Sequence, residues 1–162
     1  MLKILGPLLG KHIDSPEFTA MLSKNFPDFK KFDKNKEYKD KQSGITLRID
    51  SLTTYDDNAA VSTDKKEYQY FIAFFFGKDE TEIPFGVSVK DNEAEVINKA
   101  GKPTHHNKVT DGGTFMQAND MHYHIKNSGH IENCKMLISF DVEGKKQQQA
   151  IGINLRLKGM RF

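Results

Sequence analysis

Five of the six histidines of this 162-residue chain fall between residues 105 and 130: His105, His106, His122, His124 and His130. His122 and His124 are two apart in an alternating stretch, so on a strand their imidazoles share one face. Two such imidazoles could bind zinc if His105, His106 or Asp120 supplied a further ligand. The spacing matches no strong zinc signature, and the single cysteine, Cys134, lies outside the cluster. Surface histidines on a sheet face and in a loop are the plainer reading, so no metal or other cofactor is expected. Imidazoles on a binding face would still titrate near neutrality. Cys134 with His124 or His130 has the residue types of a nucleophile and base, but nothing orients the pair. Asp56 and Asp57 read as a turn, where adjacent carboxylates diverge. Lys102-Pro103 and Asp111-Gly112-Gly113 lack the glycine–lysine–serine/threonine pattern of a phosphate loop. The expectation is a protein without catalytic residues.

The elements that must position these side chains come in two series. Gly10, Ser15, Glu17 and Pro27 recur 76 positions later as Gly86, Asp91, Glu93 and Pro103. Tyr38, Lys41, Ser43 and Gly44 recur 85 positions later as Tyr123, Lys126, Ser128 and Gly129. The growing offset puts about nine extra residues between helix and strand in the second series, near Thr110 to Thr114. In the first series Ser15 caps a helix, Pro16 suits its first position, and Phe18, Met21, Leu22 and Phe26 form its apolar stripe. Residues 30–40 read as a charged, irregular approach to the sheet. Ile45, Leu47 and Ile49 then alternate with Thr46 and Arg48. Tyr68 to Phe76 is an aromatic strand. In the second series Asp91 is expected to cap a helix carrying Ala94, Val96, Ile97 and Ala100, ended by Gly101 and Pro103. A loop follows, then strands around Met121–Ile125, Met136–Phe140 and Ile151–Leu157.

The fold class expected is α+β. Two tandem helix-plus-β-meander repeats, residues 1–80 and 81–162, would form one antiparallel sheet with the helices on one face, within a single domain. Alternation assigns Thr46, Arg48, His122, His124, Lys126, Asn154, Arg156 and Lys158 to the other, open face. The aromatic strand breaks this pattern. Tyr68, Tyr70, Ile72, Phe74 and Phe76 would point one way and Phe71, Ala73 and Phe75 the other, so both of its faces need cover. Either this chain covers the second face, or that face carries an apolar anchor in a polar surround, as protein-binding sites do.

Composition narrows the function further. Residues 1–80 carry 13 basic and 13 acidic side chains and the remainder 11 and 9, so neither half has the charge of a nucleic-acid binder or of an acidic nucleic-acid mimic. One cysteine allows no internal disulfide, in keeping with a reducing compartment. The apolar start, Met1 to Lys11, is broken by Gly6-Pro7 and lacks a cleavage site, so it reads as a segment packed on the core. No stretch has the length of a membrane helix. A cytoplasmic protein is expected.

Gly86-Val87 through Asp91, Glu95-Val96 and Gly101-Lys102-Pro103 resemble the small helix-plus-meander unit of outer-membrane assembly lipoproteins and tandem-repeat beta-lactamase inhibitor proteins. The first unit departs from it, with Asn25-Phe26-Pro27 for Gly-x-Pro and no Glu-Val pair. The chain also resembles immunity proteins encoded beside bacterial antibacterial toxins, at Leu8-Leu9-Gly10-Lys11 with Asp14-Ser15-Pro16 and at Ile83-Pro84-Phe85-Gly86-Val87. The resemblance implies a cognate protein toxin as partner and carries over no catalytic residue. On the open face, Arg48, Arg156 and Lys158 would supply charge-assisted hydrogen bonds, and Tyr70, Phe75, His122 and His124 packed anchors. A monomer or a homodimer paired through sheet edges would serve. The alternative is a small metal- or ligand-binding module built on the histidine cluster.

Overall fold

The computed structural model describes residues 1–50, 69–78, 83–107, 119–127, 129–140 and 146–155. The chain opens with a short helix, α1 (Leu2–Leu5), and a 3-10 turn, Gly6–Leu8. Helix α2 (Pro16–Asn25) precedes strands β1 (Glu37–Lys39), β2 (Ile45–Asp50) and β3 (Tyr70–Phe76). After a 3-10 turn at Pro84–Gly86, helix α3 (Glu93–Ala100) precedes β4 (His105–Asn107), β5 (Asn119–Asn127), β6 (Glu132–Phe140) and β7 (Lys146–Leu155). Among the described residues seven strands form one antiparallel sheet in the order β1-β2-β3-β7-β6-β5-β4. The fold is α+β, as the patterning predicts.

Both helices start as their sequences dictate, with one shift. The Ser15 hydroxyl accepts the Phe18 N–H at 3.3 Å and Pro16 occupies the first turn of α2. At α3 the cap is Asn92, not Asp91. Asn92 accepts the Glu95 N–H at 3.0 Å, and the Glu95 carboxylate accepts the Asn92 N–H at 2.7 Å. This reciprocal box uses an acid three residues after the cap, a spacing that Asp91 cannot offer. Asp91 instead accepts the Ser88 N–H and pairs with Lys99 at 2.8 Å.

One face of the sheet is the core. Leu2, Leu5 and Leu8, the α2 residues Phe18, Met21 and Leu22, and Val96 of α3 pack there with Ile45, Leu47, Phe74, Met121, Ile138 and Ile153. The N-terminal segment is therefore part of the core, and its residues 10–13 hydrogen-bond to the start of β3: the Phe71 N–H reaches the Lys11 carbonyl and the Gly10 N–H the Phe71 carbonyl. The turns behind Tyr38 and Tyr123 correspond: Gly44, between β1 and β2, has φ +74°, and Gly129, between β5 and β6, has φ +77°. These left-handed positions are open to glycine at little steric cost.

Three expectations change. Residues 37–39 pair with β2, so the charged approach contains an edge strand. Residues 105–107 pair with β5, so the expected loop after α3 contains a second edge strand. The alternation in β3 is also broken by a bulge. Arg48 faces Ala73 while Ile49 faces Phe71, which leaves Ile72 as an extra residue. Phe71 thereby turns onto the helix face, 5.2 Å from the Phe18 ring, while Ile72 and Ala73 join Phe75 on the other.

Candidate functional site

Strand register arranges the outer face in transverse rows. One runs Lys39, Thr46, Phe75, Gly152, Leu137, His122 and His105. The next runs Glu37, Arg48, Ala73, Asn154, Lys135 and His124. At the centre, Ile72, Ala73 and Phe75 form a second apolar cluster with Tyr70 against it, separate from the core. Gly152 gives the Phe75 ring its place: a Cβ there would lie 2.6 Å from two ring carbons. Phe75 is consequently only 7% exposed, a support beneath the face rather than a projecting anchor. Tyr70 is half-buried, its ring edge-to-face with His12 at 5.3 Å.

On the β1–β2–β3 side the Arg48 charge is paired with Glu37. The Arg48 guanidinium donates from Nε at 3.1 Å and Nη2 at 2.6 Å to Oε1 of Glu37, and its Cζ lies 5.4 Å from the Phe75 ring centroid. Glu37 is 6% exposed, so its charge needs this partner. Thus Arg48 stands on the expected face, but its charge is committed within the chain.

On the β5–β6–β7 side several polar atoms have no partner. Asp120 Oδ1, Asn154 Nδ2 and both ring nitrogens of His122 are buried without a hydrogen bond. Burial, then the Lys135 ammonium, push the His122 pKa down from 6.5 to about 4, against the opposing pull of Asp120. Burial lowers the Lys135 pKa too, and Asp120 again opposes it. His122 is therefore neutral at neutral pH, one ring nitrogen a donor and the other an acceptor. The His105 ring meets it edge-on at 5.5 Å. His124 is half-buried on the same face, and its backbone N–H donates to the Thr104 hydroxyl at 3.2 Å.

The histidine cluster is divided by the sheet. His105, His122 and His124 share the outer face, whereas His106 pairs with core-facing Met121 and bonds Asn119 at 2.9 Å, with Glu93 of α3 3.6 Å away. His130 is exposed in the β5–β6 connection. Among the described residues no group of three or more His, Cys, Asp or Glu side chains could hold a metal ion. Cys134 is buried, facing the core.

Of the seven residues expected to bind a partner, Arg48, Tyr70, Phe75, His122 and His124 lie on one face of the sheet. Arg156 and Lys158 lie outside the described residues. Lys135 and Glu37 were missed as site residues, and Asp120 was read only as a candidate metal ligand. Alternation along β6 could have found Lys135. Nothing in sequence flagged Glu37, because β1 did not read as a strand.

Among the described residues no helix is long and apolar enough to cross a membrane. No family model, no curated protein and no solved structure matches this chain.

Proposed function

We propose that this chain is a binding protein of the immunity type, acting in the cytoplasm to neutralise a cognate antibacterial toxin by stoichiometric occlusion. In this reading it is one domain of two repeats, residues 1–80 and 81–162. It works without catalysis or cofactor, as a monomer or a homodimer. The outer sheet face and its adjacent loops make the contact, with Tyr70, His122 and His124 at the surface and Phe75 supporting them.

The observation that carries the reading is the incomplete polar network of Asp120, His122 and Asn154 on that face. Buried polar groups are nearly always satisfied, and a half-satisfied network is costly unless something else completes it. A partner surface offering both donors and acceptors would do so once the side chains that cover these atoms in the free chain give way. The test is affinity capture from the native host, followed by cross-linking mass spectrometry. A single stoichiometric partner that is toxic alone and cross-links to β5–β7 is the expected result. A chain that runs without a partner, or whose partner touches only the helices, overturns it.

One observation favours a second reading, a small metal- or ligand-binding module. Both nitrogens of neutral His122 are unused, and His105 lies against it. Metal analysis of tag-free protein separates the two: near-stoichiometric metal favours the second, and less than about a tenth of an equivalent favours the first.

A further inference from the structure

We propose that the concavity at the β1–β2 corner, bordered by Lys39, Lys41 and Lys78, receives an acidic loop of a protein partner. This rests on the protein-binding reading above and names a contact point distinct from the His122 region.

The corner is a hollow of about 310 Å³. Backbone geometry keeps it open. Gly44 turns the chain with φ +74°, and its carbonyl accepts the Gly77 N–H at 2.9 Å. A Cβ on Gly77 would stand 2.7 Å from that carbonyl oxygen, so two bare backbones lie side by side where side chains would otherwise fill the space.

Among the described residues the cations around the hollow are under-neutralised. Lys78 packs its alkyl chain on Gly44 and donates from Nζ to the Gln42 carbonyl at 2.8 Å, which places the ammonium without cancelling its charge. Lys41 makes no ion pair with any described residue. Lys39 lies 3.5 Å from Glu37, but that carboxylate also serves Arg48 at 2.6 Å. Among the described residues the only carboxylate lining the hollow, Asp40, is held by its own turn: it accepts the Ser43 N–H at 2.7 Å and the Ser43 hydroxyl at 2.5 Å. Among the described residues that line the hollow, Lys39, Lys41 and Lys78 against Asp40 give +2, in a half that is neutral as a whole. Concentrated charge on one corner of a neutral half steers a complementary surface.

The geometry selects carboxylates on a loop over a small phosphate ligand. The Gly44 N–H goes to the Asp40 carbonyl at 2.9 Å and the Gly77 N–H to Gly44, so neither glycine offers its N–H to a phosphate oxygen. What remains is a set of long, point-charged lysines, suited to several carboxylates of an extended segment.

The test is an amide NMR titration at low salt with hexaglutamate, hexaglutamine and inorganic phosphate as separate probes. Hexaglutamate should shift the amides of Lys41, Gly44 and Gly77, and hexaglutamine should not. The surface double variant Lys39→Glu/Lys41→Glu, checked as folded by its own spectrum, should weaken the hexaglutamate response by about tenfold. Lys126→Glu, on the opposite half, should leave it unchanged. Equal weakening by Lys126→Glu, or shifts centred on another part of the sheet, overturns the corner assignment while the protein-binding reading stands. The same pattern with phosphate at equal affinity overturns it in favour of a small-anion site. A captured partner that binds the double variant at full affinity overturns it as well. Failure to capture any partner bears on the protein-binding reading, not on where hexaglutamate binds.

Discussion

The row Glu37–Arg48–Ala73–Asn154–Lys135–His124 treats charge in opposite ways at its two ends. At one end Arg48 is bonded twice to a buried carboxylate and rests over an aromatic ring. At the other, Lys135 is half-buried near His122, Asp120 and Asn154, whose buried polar atoms lack partners. The first arrangement is complete and should act as structure. The second is incomplete and is where an external group would bring gain. Position on a common face therefore does not make residues equivalent: Arg48 and His122 both stand on the outer surface, yet only His122 has unused bonding capacity.

The largest expected effect lies between the two ends. Gly152→Val drives a side chain into the Phe75 ring and should destabilise the fold by about 2–3 kcal/mol in urea denaturation. An unchanged midpoint would mean that Phe75 has room to move and does not rely on Gly152. Next, Glu37→Ala strips Arg48 of its partner and should cost about 2 kcal/mol, less than a fully buried pair because the Arg48 side chain is 44% exposed. A loss under about 0.5 kcal/mol would show the paired end to be as slack as an ordinary surface salt bridge.

The unpaired end should reveal itself through pH. The folded pKa of His122, about 4, lies below its unfolded value of 6.5, so between these values the unfolded chain binds the extra proton. This contribution is intact above pH 6.5, is lost as pH falls towards 4, and changes no further below that. At about 1.4 kcal/mol per pKa unit the shift sets an upper bound, and partial exposure reduces the expected loss to about 1–2 kcal/mol. The readout is the difference in melting temperature between the native chain and His122→Gln across that range, since other groups titrate in both. Parallel curves would remove His122 as the cause. The smallest effect should come from His122→Leu at neutral pH. Replacing a ring with two unbonded nitrogens by an apolar side chain should be neutral or stabilise by up to about 1 kcal/mol, while weakening capture of the partner. A strongly destabilised variant would contradict the idea of an incomplete site.

Much of the fold was legible because its signals are local. Ser15-Pro16-Glu17 marks a helix start without reference to the rest of the chain, and Ile45, Leu47 and Ile49 mark a strand by period alone. The edge strands were not legible. Glu37–Lys39 and His105–Asn107 are polar three-residue segments, and their strand character comes from the neighbour they pair with. The cap of α3 moved by one residue because two adjacent polar side chains, Asp91 and Asn92, both suit the role, and Glu95 decides between them.

The sequence by itself determined the α+β class, the antiparallel meanders and the outer-face positions of Arg48, His122 and His124. Periodicity and capping act over a few residues and are written in residue order. Only the tertiary structure decided that Phe71 crosses to the core through the bulge at Ile72, that Glu37 neutralises Arg48, and that Asp120, His122 and Asn154 are left without partners. Those outcomes depend on register between strands distant in sequence. A one-residue change in register moves every side chain to the other face, and no local pattern encodes it.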